Sequence, residues 1–450
     1  MAEYIDLVVP NITEFNLRHP TLGTDPGLER TFLEVGDWFT DQAVLWTEGP
    51  AVLLMADGFD RQWFDDLHEV LGRRPPAVVS PRRTTGLLLR DTLADAEALR
   101  RLQDRLAGHQ VVRFRSFGAS PELYRLAAIV RSWGHRIELD VPTEQHYWAS
   151  LYLESKMSCL DLAGYLPGFR VPRGVTVGTW AELTGAVARI LAEADRVIVK
   201  AMHGVGGEGS AVIDTTDASL EKFWQATEAD PFLRSFPLSV QEYVEHAPEF
   251  GCPAVDVLID EDGVAEMVGS VLTVDEHRYR NLTIGAGVLD RGVEKRILDL
   301  GHQVAALASA WGYRGWFGID CVLSRDDLLY VTEINARRTG AIQAIELRRT
   351  AGSTGSVAYS HDTIRVRDDA PVSYTDVVRP IFRELWRDGV KAFPTTVRAL
   401  DHHEPMIGLV TVASTAAEAE RIATGIRADL GDIVADRGGP LHPVAVHNTP

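Results

Sequence analysis

The chain has 450 residues and a net charge of −19, with 45% hydrophobic and 24% charged residues. At about 100–200 residues per domain this length suggests about two to four domains, and the composition excludes a wholly disordered chain or a small disulfide-stapled scaffold. So acidic a surface repels phosphate backbones and anionic lipid, which argues against a nucleic-acid binder or a membrane-surface protein.

Only five of the 45 basic residues are lysines: Lys156, Lys200, Lys222, Lys295 and Lys391. A lysine inside a motif is therefore notable here. Cys159, Cys252 and Cys321 are odd in number and widely spaced, which fits three buried thiols in a reduced compartment better than a disulfide framework or a zinc site. No apolar run approaches the ~20 residues of a membrane span, and the acidic N-terminus lacks the basic start of a signal peptide. A cytoplasmic location is expected.

Residues 1–150 read as an α/β unit. Strand-like runs lie at Gln42–Trp46, Ala51–Ala56, Val111–Phe114 and Arg136–Leu139, and Ala94–Leu106 has helical spacing. Residues 151–355 open with a helical stretch, Glu154–Tyr165. A capping box, Thr179-Trp-Ala-Glu182, starts a second helix. Strands follow at Val197–Ala201, Ala211–Ile213, Leu238–Val244, Ala254–Ile259 and Ala265–Val274. A long helix near Val293–Trp311 precedes strands Phe317–Leu323 and Leu328–Asn335. Residues 356–450, with helices Tyr374–Arg387 and Thr415–Asp429 around strand Met406–Val412, read as a small α/β appendage.

Two segments carry chemistry. The first is Lys200-Ala-Met-His-Gly204-Val-Gly206-Gly207-Glu-Gly209. It has a strand before it and the β-branched Ser210–Asp214 after it. It is therefore a hairpin and not the strand–glycine–helix of a dinucleotide fold, and no Gly-Lys-Ser/Thr makes it a Walker loop. Such a hairpin can offer backbone N–H groups to phosphates, with Lys200 in reach of a phosphate oxygen. The second runs from Phe317 to Arg337. Read as an antiparallel hairpin closed by Ser324–Asp327, it pairs Leu323 with Leu328 and Asp320 with Val331, so alternation puts Asp320, Glu333 and Asn335 on one face. Two carboxylates and an amide oxygen suit Mg²⁺, whose remaining positions go to waters and phosphates. Arg337 falls on the same face, where it can balance charge on a transferring phosphoryl group.

In this order the features resemble the ATP-grasp ligases over about residues 150–345. The resemblance implies an ATP-grasp fold (α/β, or α+β) with an N-terminal pre-ATP-grasp α/β domain (1–150), an ATP-grasp domain (151–355, lid about 195–245) and a small C-terminal α/β domain (356–450). It implies ATP and two Mg²⁺ ions, with Mn²⁺ as a substitute. Lys156 and Lys200 are then nucleotide lysines, and Gly206 and Gly207 belong to the phosphate-covering loop. Gln241, Glu242 and Val244 lie in the hinge that reads adenine. Glu249, or Glu245 in its place, is the ribose acid, and Asp320, Glu333 and Asn335 are the metal ligands. The segment Val274–Gly287 occupies the place of a substrate loop. Where some members carry an arginine two residues before the first metal aspartate this chain has Gly318, which leaves transition-state charge to Arg337 or Arg280, with Lys200. The layout, including Glu333-Ile-Asn-Ala-Arg-Arg-Thr-Gly340, is most similar to peptide ligases of pheganomycin-type antibiotic biosynthesis. That implies ATP-dependent joining of a small carboxylate donor to a peptide or amino-acid amine. The other readings are a free amino-acid ligase and a non-catalytic ATP-dependent assembly protein. The extra C-terminal residues serve acceptor binding, a homodimer interface, or both.

Overall fold

A computed structural model of the chain describes residues 4–17, 26–202, 209–215, 221, 223–225, 227, 230–247, 251–275, 278–353, 355–366 and 371–431. Three sheets organise it. The first is parallel, in the order β3-β2-β1-β4-β5, from β1 (Tyr4–Val9), β2 (Ala51–Leu54), β3 (Ala77–Val79), β4 (Val111–Ser116) and β5 (Arg136–Leu139). Strand β1 reads Ile-Asp-Leu-Val-Val and is buried along nearly its whole length, as a strand covered on both faces must be. The strand order reverses between β1 and β4, and open parallel sheets take ligands at such a switch point, beyond the carboxyl ends of the strands. There Asn11 ties the two strand ends together, its Nδ2 donating to Gly118 O (2.8 Å) and its Oδ1 accepting from Phe117 N (3.1 Å).

The second sheet is small and antiparallel, in the order β6-β9-β7-β8: β6 (Gly174–Val177), β7 (Arg196–Ala201), β8 (Ser210–Asp214) and β9 (Leu238–Glu242). Helix Trp180–Leu191 backs it with Leu183, Ala186, Val187 and Ile190. Thr179 caps this helix as expected, accepting from Glu182 N, while Glu182 Oε2 reaches back to Gly178 N at 2.7 Å.

The third sheet has eight antiparallel strands in the order β14-β13-β10-β11-β12-β15-β17-β16. They are β10 (Cys252–Asp260), β11 (Gly263–Asp275), β12 (Arg278–Gly285), β13 (Gly315–Leu323), β14 (Leu329–Asn335), β15 (Val357–Arg365), β16 (Ala392–Thr396) and β17 (Met406–Ala413). Helix Arg291–Ala310 lays Ile297, Val304 and Ala308 on β10 and β11.

Several expectations change. The last three strands continue the central sheet instead of forming one of their own, so the 356–450 region is joined to the body by backbone hydrogen bonds. Its core is also shared with the N-terminal region: Trp63, Phe64 and Leu67 pack in one cluster with Tyr374, Phe382 and Leu409. Gln42–Trp46 is not a strand but part of a buried 3₁₀ turn, Thr40–Leu45, where Asp41 Oδ2 accepts from Val397 N and Arg398 N. The helix over Glu154–Tyr165 is two, Tyr147–Glu154 and Lys156–Leu162, broken at the extended Ser155. The substrate-loop segment is mostly the hairpin strands β11 and β12.

Asp66 holds the N-terminal region to helix Arg379–Arg387 of the 356–450 region. It is almost fully buried and accepts from Arg379 Nε (2.7 Å) and Arg383 Nη2 (2.5 Å). Burial works to raise its pKa, but these two arginines and Gln62 more than offset that and hold it below the ordinary value. Asp66→Ala is expected to destabilise by about 2–3 kcal/mol in urea unfolding, below the usual 3–5 for a broken buried pair because the arginines are partly hydrated. The contribution is present above the ordinary aspartate pKa and is lost on acidification. A variant within about 0.5 kcal/mol of wild type would show that this contact does not hold the two regions.

Candidate functional site

The site is built on the β13–β14 hairpin. Its loop is one residue longer than the sequence suggested, because Ser324 N donates to Leu328 O and Asp327 takes a left-handed backbone (φ 59°). The strands therefore start pairing at Leu323 with Leu329. Continued regularly, that register would set Asp320 against Thr332 and turn Glu333 to the other face. A bulge between Asp320 and Cys321 takes up Thr332, whose Oγ1 donates to Asp320 O at 3.1 Å, and Asp320 instead faces Glu333. The predicted Asp320–Val331 pair is thus replaced, and Val331 points into the core. Asp320, Glu333 and Asn335 still share a face, because the two departures from the expected register cancel.

Cations surround this face. Lys156, at the start of its helix and 7% exposed, ion-pairs with Glu333. Lys200 Nζ, from β7 of the small sheet, reaches Thr332 O at 3.4 Å. Asn335 Nδ2 donates to Asp320 Oδ2 (3.0 Å), and its Oδ1 accepts from Arg337 Nη2 (3.0 Å). Glu154 positions that arginine, accepting from Arg337 Nε at 3.1 Å and from Ala336 N at 2.5 Å. Burial, then the Glu333 charge, pushes Asp320 up to about 7. Burial works to raise Glu333, but Lys156, Lys200 and Arg337 together outweigh it and hold that carboxyl below its usual value. Burial, then Lys156, pushes Lys200 down to about 8. Two carboxylates facing one another beside buried cations are a poised cation site. Among the described residues no group of three or more His, Cys, Asp or Glu could hold a metal. The donor set is two carboxylates and an amide, which fits Mg²⁺ whose coordination is completed by waters and phosphate oxygens.

A cavity of about 350 Å³ opens over this face. One part of it is walled by Lys156, Ile198, Lys200, Tyr243, Val244 and Val322. Glu242 N and Tyr243 N donate to Arg173 O and Arg196 O, whereas Val244 N makes no backbone hydrogen bond among the described residues. Glu242 lines the cavity too, its side chain held by Arg173. Gln241 does not line it. It is 2% exposed and lies against Gly174, where a Cβ would sit 2.6 Å from Gln241 Cγ. Arg280 is the extra residue of a bulge in β12, outside the cavity wall. Glu245 pairs with Arg196. Gly206, Gly207 and Glu249 lie outside the described residues, as does His203. Gly318 could not be the arginine other sequences carry, since even a Cβ there would stand 2.7 Å from Thr339 Cγ2.

The other end of the cavity was not legible in the sequence. Asp256 on β10, Tyr279 on β12, Thr339, Gly340 and Asp362 on β15 line it, with Phe39, Gln42 and Trp46 from the N-terminal region. Two of the three cysteines, Cys252 and Cys321, also line the cavity, and all three are buried. A lone strand aspartate carries no sequence signal, and only the sheet order brings these together.

Below pH 8 Lys200 is a charged group that the unfolded chain would hydrate better. Its lowered pKa therefore costs stability at neutral pH, and stability recovers as pH rises from about 8 toward the ordinary 10.5. Lys200→Met is expected to raise the ligand-free Tm at pH 7, by a margin that shrinks above pH 8, while weakening MgATP binding at least tenfold (~1.4 kcal/mol). Calorimetry showing unchanged MgATP affinity would remove Lys200 from the site.

Comparison with known proteins supplies a context for this geometry. Residues 181–341 match the ATP-grasp domain model. No curated protein sequence matches significantly. Among solved structures, the N5-carboxyaminoimidazole synthase of Aspergillus clavatus, in complex with ADP and 5-aminoimidazole ribonucleotide, is similar at 14% identity and a TM-score of 0.55, covering 96% of this chain and 99% of that one. Biotin carboxylase from Campylobacter jejuni, in a β-γ-ATP complex, is similar at 15% identity and TM-score 0.52 (94% and 90% covered). The biotin carboxylase domain dimer of the Hydrogenobacter thermophilus 2-oxoglutarate carboxylase, with MgADP, ADP and bicarbonate, is similar at 14% and 0.51 (93% and 88%). Across nearly its whole length, this chain has the ATP-grasp fold.

Proposed function

We propose that this protein is an ATP-dependent, ADP-forming carboxylate–amine ligase. The observation that carries the reading is the bulged β13–β14 hairpin, with Asp320, Glu333 and Asn335 on one face between Lys156, Lys200 and Arg337. A carboxylate oxygen attacks the γ-phosphorus of ATP, giving an acyl phosphate and ADP. The amine nitrogen then attacks the acyl carbon, the carbon–oxygen bond to phosphate breaks, and the nitrogen loses a proton.

Both partners of the first step are anions, so the chain must gather and orient them. Lys156 and Lys200 hold nucleotide phosphates. Arg337, fixed by Glu154 and by Asn335, offers its guanidinium to the phosphoryl group in transit. Asp320, Glu333 and Asn335 would hold Mg²⁺, which when bound supplies charge neutralisation across the phosphates. Val244 N, at the end of the β9 hinge, is available to an adenine edge.

The donor in this reading is a small carboxylate and the acceptor an amine on a peptide or amino acid, within peptide natural-product biosynthesis. The three-part layout and the Glu333–Gly340 run support it. Bicarbonate belongs among the donors tried, because one of the fold neighbours holds it. The 356–450 region cannot be deleted to test acceptor size, since it supplies three strands of the central sheet and shares its core with the N-terminal region. Acceptor length must be read on the intact chain.

Asp320→Ala, Glu333→Ala and Asn335→Ala are each expected to cut Mg²⁺-dependent ADP release by at least a hundredfold (~2.7 kcal/mol) with the fold intact by circular dichroism. Full turnover in any one of them overturns its assignment as a ligand. With acceptors of one to eight residues, kcat/KM should rise from single amino acids to peptides. The reverse ranking would replace the peptide acceptor by a free amino acid.

A further inference from the structure

The end of the cavity away from Lys156 and Lys200 carries two carboxylates with no Lys or Arg ion-pair partner among the described residues, although the more distant Arg337 charge acts to lower Asp256. Asp256, 4% exposed, accepts from Thr339 Oγ1 at 2.5 Å. Asp362, partly accessible and in the cavity wall, accepts from Gln343 Nε2 (3.0 Å) and Gln42 Nε2 (3.3 Å). These donors are neutral. Among the described residues neither aspartate has a Lys or Arg ion-pair partner, unlike Glu333 nearby. Burial pushes both carboxyls up to about 7. A buried carboxylate without a cation is costly, and where it lines a cavity the cation can come from a ligand.

The backbone aims these groups on purpose. Strand β15 has an extra residue between His361 and Ile364, and β12 has one at Arg280 on the adjoining strand. Such bulges re-aim side chains beside functional sites. Tyr279 Oη is buried with no hydrogen-bond partner of good geometry among the described residues, and lies near enough to Asp362 to act on that carboxyl as a neutral donor. Asp362 Oδ2 and Tyr279 Oη converge over Gly340, where a Cβ would lie 3.0 Å from the first and 3.8 Å from the second. Thr339 and Gly340 are consecutive, so the two aspartates flank one dipeptide. Beside them the wall is apolar. Phe39 and Trp46 lie three residues before and four after Gln42 and line the cavity with it. Trp46 stacks on Phe117, over which Arg337 sits at 5.4 Å. An aromatic strip thus runs from the carboxylates to the phosphoryl-transfer residues.

We infer that this end binds the acceptor as a primary ammonium next to an aromatic or branched apolar group, with the ammonium on Asp362 and Asp256, Tyr279 Oη as a further acceptor, and the apolar group on Phe39 and Trp46. The inference deepens the ligase reading and rests on it for the word acceptor.

The test is equilibrium binding of phenethylamine, L-phenylalaninamide, a phenylalanylglycine amide and the neutral isostere 2-phenylethanol to the intact protein, with and without Mg²⁺ and a non-hydrolysable ATP analogue. The three amines should bind wild type at least tenfold more tightly than the alcohol. Asp362→Asn should erase that preference while leaving nucleotide affinity unchanged. Tyr279→Phe keeps the shape and removes only the unsatisfied hydroxyl, so it should keep its Tm and weaken the amines about threefold. It serves as the test if Asp362→Asn fails to fold. A tighter dipeptide amide points to a peptide N-terminus, and a tighter phenethylamine to a free amine. Equal binding of amine and alcohol, or amine binding untouched by either variant, overturns the inference. Failure of the nucleotide analogue to bind wild type would instead sink the ligase reading, while the amine arm would still report on Asp362.

Discussion

The structure depends on placing buried charge of both signs around one bulged hairpin. Glu333 is held ionised by Lys156 with Lys200 and Arg337, Asp320 is pressed toward protonation by burial and Glu333, and Lys200 is pressed toward neutrality by burial and Lys156. Asp320 and Lys200 are both shifted against their charged forms in the absence of a ligand. Hydrophobic residues of similar size would give a more stable fold, so the arrangement makes sense as preparation for phosphate and metal charge. Helix Arg291–Ala310 and the β10–β13 core are the rigid backing against which that preparation is held.

The elements that set the charges come from different places in the chain. Lys156 starts a helix broken from its neighbour at Ser155, Lys200 comes from the small sheet, and the hairpin belongs to the large one. Closing the small sheet over the large one would move Lys200 relative to Asp320, which would suit the proposed ligase, whose acyl phosphate has to be kept from water. The N-terminal sheet contributes in its own way: its switch point ends at Ile12 and Phe117, and both line the cavity. The C-terminal strands add Asp362 and Thr363 to the same wall. Residues from both flanking regions therefore line the end of the cavity proposed to take the acceptor.

Much of the arrangement around the β13–β14 hairpin was legible in the sequence because its signals are local. Asp320, Glu333, Asn335 and Arg337 announce themselves by period-two spacing on apolar strands. The face came out right although the register did not, since a five-residue loop and a bulge, each invisible to alternation, cancelled. Gln241 was misread as a cavity residue because a hinge strand exposes backbone to the ligand, while this side chain packs inward on Gly174. Gln42–Trp46 looked like a strand because a fully buried 3₁₀ turn and a buried strand have the same composition. Asp256 and Asp362 carried no sequence signal, and Tyr279 was covered only as part of the expected substrate-loop segment Val274–Gly287, without being singled out. They meet only through the order β10-β11-β12-β15 of the central sheet and two bulges, and nothing in a single sequence encodes that order.

The central claim is that a carboxylate is activated by the γ-phosphoryl group before the amine attacks. It is tested most directly by turnover with a carboxylate donor labelled with ¹⁸O at both oxygens, followed by mass spectrometry of the phosphate and identification of the nucleotide product. In this account the oxygen that attacked phosphorus leaves with it, so the phosphate carries one ¹⁸O and the nucleotide is ADP. Unlabelled phosphate, or AMP with pyrophosphate, would contradict it.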